Sequence, residues 1–158
     1  MFARISSLAV PFVLGFCALS VFSAPLANAE ISRRQIGNLQ CNIDRLSIVS
    51  SLGQTITDVK KVASAGASDS SVTDATTTAL GGLTSAQQGI ATIAKALLTG
   101  QTAPADARDQ VGQGLQTAQS SLASINSTDS AVTSALSTAQ STLQKAEQAG
   151  EGVVANCK

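Results

Sequence analysis

Val, Ile and Leu recur three or four residues apart through four long stretches of the chain, and polar residues fill the positions between them. The first stretch carries Leu39, Ile43, Leu46, Val49, Leu52, Ile56, Val59 and Val62, up to Gly66. The second carries Val72, Ala79, Leu83, Ile90, Ile93 and Leu97, up to Gly100. The third carries Val111, Leu115, Ala118, Leu122 and Ile125. The fourth is the most regular, with Val132, Leu136, Ala139, Leu143, Ala146, Gly150, Val153 and Cys157 in alternating steps of four and three. Such spacing places apolar side chains on one face of a helix, and no stretch of similar length alternates as a strand does. The spacing predicts four amphipathic helices.

Punctuation agrees with these bounds. Ser68-Asp69-Ser70-Ser71 offers N-caps for the second helix, and Thr102 for the third, with Pro104 in its first turn. The polar break from Asn126 to Ser130 ends in Asp129 or Ser130 as a cap for the fourth. Gly66 and Gly100 stand where C-caps belong. Gly81-Gly82 falls inside the second helix and leaves open whether that helix is continuous or is kinked or split there, since each Gly costs about 1 kcal/mol against Ala. Four helices with short connections predict an all-α, antiparallel up-down-up-down four-helix bundle. Val111–Leu122 matches Val132–Leu143 at seven of twelve positions, 21 residues apart. Duplication of a helix and convergence of two Ala/Gln/Ser/Thr-rich helices both account for it.

The front of the chain has a different character. Arg4 precedes an almost wholly apolar run from Ile5 to Val21, and Ala27-Asn28-Ala29 gives a small-x-small cleavage site before Glu30. This three-part pattern predicts a signal peptide over residues 1–29 and a secreted product. Arg33-Arg34 is a dibasic pair of the kind cut by kexin-type proteases, so residues 30–34 read as a short propeptide and 35–158 as one domain. Without residues 1–34 the chain has no Phe, Tyr, Trp, His or Met. It keeps 26 Val, Leu and Ile in 124 residues, a thin supply for a core.

Two cysteines remain, Cys41 near the start and Cys157 beside the last residue. In a secreted chain this pair implies a disulfide. In a bundle with an even number of antiparallel helices, the start of the first helix and the end of the last lie at the same end. A bridge there would tie the two ends of the chain together.

The composition excludes several classes of function. Seven basic against nine acidic residues from Gln35 onward give a net charge of −2, with no basic run longer than two. Nucleic-acid binding finds neither a positive surface nor an aromatic to stack on a base. Without His, and with both thiols bridged, the usual general bases, nucleophiles and zinc ligands are missing, so neither an enzyme nor a metal or other cofactor is expected. Asp106 and Asp109 read as helix-dipole partners in the first turn of the third helix. Gly112-Gln113-Gly114 lacks the strand and the Lys of a phosphate loop. Asn126-Ser127-Thr128 is an N-glycosylation sequon in a predicted loop. Ser and Thr make up 31 of the 124 residues, a surface suited to O-mannosylation.

In composition, length and helical spacing, residues 40–155 resemble the hydrophobic surface-binding protein A type, which includes fungal cell-wall galactomannoproteins. The segment Ala96-Leu97-Leu98-Thr99-Gly100-Gln101-Thr102-Ala103-Pro104 resembles a junction in a mushroom-type secreted family of unassigned function. The first resemblance implies binding of lipids or hydrophobic surfaces, on the cell wall or in the medium, by a protein that does not span a membrane. A cavity between helices lined by Leu83, Ile90, Leu115, Leu136 and Ala139 would serve that role, and a monomer would suffice. A solid core would instead suit a structural cell-wall constituent or a secreted effector. Mass analysis of the secreted protein is expected to read Gln35 as the N-terminus, or Glu30 where the dibasic site is left uncut; recovery of intact Met1 would contradict the signal peptide.

Overall fold

A computed structural model describes residues 39–157. The signal peptide, the propeptide and the Arg33-Arg34 site expected from the sequence lie outside these residues. Four helices account for almost all of the described chain: α1 (Leu39–Ala65), α2 (Ser70–Leu98), α3 (Ala105–Ala123) and α4 (Ser130–Asn156). They form an up-down-up-down bundle. Cys41 and Cys157 are joined by a disulfide with their Cα atoms 5.0 Å apart. The loop so closed spans 116 residues, for which the chain-entropy model gives about 4–5 kcal/mol of stabilisation.

Local chemistry fixes where the helices begin and end. The Asp69 side chain accepts from the Ser71 N–H at 2.9 Å, and Asp129 accepts from the Ala131 N–H at 2.7 Å, so each caps an otherwise unpaired helix start. Helix α2 ends in a Schellman arrangement. The Gln101 N–H donates to Ala96 O at 2.8 Å and the Gly100 N–H to Leu97 O at 3.1 Å, with Gly100 at φ 73°. The expected Thr102 cap does not form. Helix α3 starts after Pro104, which occupies the N-cap position and offers no side-chain acceptor. Its first turn holds Asp106 alone of the acidic pair, Asp109 falling one turn later.

The helices are not evenly spaced. α1 lies closest to α4 and α2 closest to α3, while the α1–α2 and α3–α4 contacts are sparser. Small residues permit the tight approach of α2 and α3. A Cβ on Gly82 would meet Gly114 O at 2.6 Å, one on Gly114 would meet Gly82 O, and one on Gly89 would meet Ala107 O at 2.7 Å. This is why Gly81-Gly82 neither kinks nor splits α2: Gly82 is the face on which the α3 backbone rests, and the helix runs unbroken past both. Large side chains meet in the middle, where Leu52, Val59, Leu83, Leu115, Leu122 and Leu143 belong to one buried cluster drawn from all four helices.

Helix α1 departs from the sequence expectation. Its eight apolar positions do not form one inward stripe. Leu52, Val59 and Val62 are buried, but Leu39, Ile43, Leu46 and Val49 face solvent. In that first half the buried positions are Cys41, Asp44 and Ile48, on the opposite side of the helix. The reason is the partner. The disulfide at Cys41 and the packing of Asp44 and Ile48 against α4 fix the rotation of α1, and the Leu39–Leu46 stripe is left outside.

Two adjacent glycines in α2 test this packing. Gly81 has open space around its Cα, so Gly81→Ala should raise stability by about 0.5–1 kcal/mol through helix propensity. Gly82→Ala gains the same propensity but drives a methyl into the α3 backbone, and should cost about 1–3 kcal/mol as overpacking does. Urea midpoints of the two variants moving in the same direction would contradict the close approach.

Candidate functional site

The disulfide end of the bundle gathers the start of α1, the end of α2, the start of α3 and the end of α4. Among the described residues the large apolar side chains that stand in solvent are Leu39 (77% exposed), Ile43 (45%), Leu46 (72%), Val49 (53%), Leu98 (89%) and Val154 (73%). All of them lie in the half of the molecule nearest the disulfide. Leu39, Ile43 and Leu46, four and three residues apart, make one stripe on the outer face of α1. A shallow open groove runs beside it, lined by Ile43, Leu46, Ser47, Ser50 and Ser51. Its polar members are hydroxyls and it holds no charge.

Behind this stripe the inner face of α1 is unusually polar. The Asp44 carboxylate accepts from Gln40 Nε2 at 2.9 Å and from Asn156 Nδ2 of α4 at 2.8 Å, and it fills the space where a Cβ of Gly152 would stand. About four turns further on, Asp58 is 1% exposed. It accepts from Lys61 Nζ at 2.7 Å and from Gln54 Nε2 at 3.1 Å, with Thr142 of α4 adjoining. Burial pushes the Asp58 carboxyl up, but the bonds from Lys61 and Gln54 and the Lys61 charge outweigh it and hold the group below the ordinary carboxylate range. On the far side, Glu147 is pushed up by partial burial and by the nearby Glu151 charge. These carboxylates are spread along the bundle, and among the described residues no cluster of His, Cys, Asp or Glu could hold a metal ion.

The five residues expected to line a ligand cavity lie in the middle of the bundle. Leu83, Leu115 and Ala139 are buried in the apolar cluster, and Ile90 and Leu136 are half-buried against it. The groove at Ile43 and Leu46 touches none of them. Sequence reasoning missed the α1 stripe because it assigned those residues to the core. The signal was present: Cys41 is five residues before Leu46, on the other side of the helix, and a bridged cysteine must face its partner. Asn126 of the sequon is exposed on the loop between α3 and α4, at the end opposite the apolar stripe, and the neighbouring Ser127 hydroxyl accepts from the Asp129 N–H at 3.2 Å. No described helix is long and apolar enough to cross a membrane. No known protein family, curated protein or solved structure matches the chain.

The carboxylates set an acid response with a definite sign. Asp58 binds its proton less readily folded than unfolded, so its contribution is complete above the ordinary carboxylate range and is lost as pH falls below about 4. Glu147 acts the other way, its raised affinity for a proton costing stability as pH rises. Asp58→Asn should therefore lower the urea midpoint at pH 7 and flatten its fall below about pH 4, while Glu147→Gln should raise the midpoint at pH 7. An Asp58→Asn variant with an unchanged acid profile would contradict the assignment.

Proposed function

We propose that this is a secreted, non-catalytic helical protein that binds lipids or hydrophobic surfaces, at the fungal cell wall or in the surrounding medium. The observation that carries the reading is the gathering of the exposed large apolar side chains at the disulfide end. Exposed apolar patches on soluble domains commonly mark contact surfaces. This one borders a groove lined by hydroxyls, so it suits an apolar surface better than a charged partner. A glycan at Asn126 would stand at the other end of the molecule and leave the apolar end free. This reading puts the first contact on the outer face of α1.

A second reading has its own support. The residues expected to line a cavity belong to the packed core or its margin, which suits a structural wall constituent or an effector with no small-molecule ligand.

Replacing Leu39 and Leu46 together by Gln separates the two readings. Each fully buried Leu contributes about 1.5–3 kcal/mol, so even partial burial of two should make adsorption to octyl-coated beads roughly ten-fold weaker or more. The urea midpoint should stay near that of the parent, because both side chains are exposed. Retention should survive high salt. Equal retention of parent and variant would remove the α1 stripe from the function, and no retention of the parent would leave the structural reading.

A further inference from the structure

The connections of the bundle divide it into two leaves. One leaf is α1 with α4. It is closed at one end by the Cys41–Cys157 bridge and held beyond it by Asp44 with Asn156, by Asp44 against Gly152, and by Ile48 against Gly150. The other leaf is α2 with α3, closed at that same end by residues 99–104. The Gly82, Gly89 and Gly114 backbone contacts and the bond from Gln110 Nε2 to Ser85 Oγ at 3.3 Å hold it together. The chain passes from leaf to leaf through residues 66–69 and 124–129, and both crossings lie at the end far from the disulfide. Among the described residues no covalent connection joins the leaves at the disulfide end.

The forces within and between leaves differ in kind. In the α2–α3 leaf backbones touch at the glycines, and in the α1–α4 leaf the disulfide and the Asp44–Asn156 bond fix the register. Between leaves the contact is made mainly by Leu and Val side chains of the common cluster. The hydrogen bonds that cross include Gln119 Nε2 to Glu147 Oε2 at 3.4 Å and Gln140 Nε2 to Leu122 O at 3.5 Å, both long and both between α3 and α4. Apolar burial is non-directional and depends on area, so an alkyl chain can replace the facing leaf. It cannot replace a disulfide or a backbone-to-backbone contact.

We propose that the inner faces of the two leaves form a cryptic binding site for the alkyl chain of a single-chain amphiphile, reached when the leaves swing apart at the disulfide end about residues 66–69 and 124–129. This inference rests on the proposed binding of lipids or hydrophobic surfaces and names how that binding proceeds. The exposed Leu39, Ile43, Leu46, Leu98 and Val154 lie in the half of the molecule that opens, and would bring the apolar phase to it. The disulfide keeps α1 on α4 during opening, so the molecule opens between leaves and not by release of a terminal helix.

Energy transfer between dyes on encoded, non-cysteine side chains tests this with the native disulfide in place. The cross-leaf pair is Lys95 on α2 with Ala155 on α4. The within-leaf pair is Lys95 with Asp109 on α3, and the far-end pair is Lys60 on α1 with Thr77 on α2; all five positions are exposed. Dodecylphosphocholine micelles are the probe, and diffusion of the labelled protein reports binding in the same sample. The expected result is slowed diffusion, with the cross-leaf distance longer by roughly the 8–10 Å of one helix layer and the other two pairs unchanged. Slowed diffusion with no cross-leaf change would overturn the opening and leave surface binding intact. Lengthening of all three pairs would mean general loosening and would overturn the hinge. Unchanged diffusion would overturn both the opening and the binding on which it rests.

Discussion

The seam between α1 and α4 decides the rest of the structure. Its decisive element is the Cys41–Cys157 bridge, which fixes the rotation of α1 about its own axis as well as its position. Once Cys41 must face α4, Asp44 and Ile48 face inward with it, and Leu39, Ile43 and Leu46 cannot. Hydrophobicity alone would choose the other rotation, since it would bury three large side chains in place of a carboxylate. A bridge of about 4–5 kcal/mol, together with the partners that Gln40 and Asn156 give Asp44, outweighs that preference.

A buried carboxylate is costly unless its oxygens are satisfied. Asp44 and Asp58 are each met by side chains from their own helix and by a group on α4, so the polar inner face of α1 specifies one register against α4 and no other. The α2–α3 seam reaches the same end by different means. There the register is set by where Gly82, Gly89 and Gly114 leave room for a backbone. Two seams are thus specified by geometry and bonding, while the contact between them rests on apolar area. That division has a direct mechanical meaning, because contacts that rest on area alone separate more readily than contacts that require a particular geometry.

The bundle and its pairing of ends were legible in the sequence, because the three-and-four spacing, the Asp69 and Asp129 caps and the two cysteines are all local signals or follow from counting helices. The rotation of α1 was not. Its first half carries apolar residues on opposite faces, Leu39, Ile43 and Leu46 on one and Cys41 and Ile48 on the other, and periodicity cannot choose between two faces. Continuity of α2 across Gly81-Gly82 was not legible for a related reason. Propensity counts the cost of a glycine in an isolated helix, whereas the value of Gly82 lies in what it lets α3 do, a contact between positions far apart in sequence. Ser and Thr in the helices raise a similar difficulty. Many donate to the carbonyl four residues back, as Thr55 does to Ser51 O at 2.7 Å and Thr76 to Val72 O at 2.8 Å, so even a buried hydroxyl needs no partner on another helix.

The apolar residues also carry an argument from scarcity. The domain has only 26 Val, Leu and Ile in 124 residues, and folding would gain from burying every one. Six of the large apolar side chains among the described residues stand in solvent instead, and all are at one end. Exposed apolar residues left over from an indifferent surface would scatter over the molecule. These side chains are confined instead to the half of the molecule nearest the disulfide, away from the exposed Asn126. On the proposed reading, that confinement gives an apolar phase one side from which to approach the bundle. On the same proposal a thin core has a use, because a contact that rests on apolar area is one that an apolar phase could replace, while the disulfide would preserve the fold of the leaf that makes first contact.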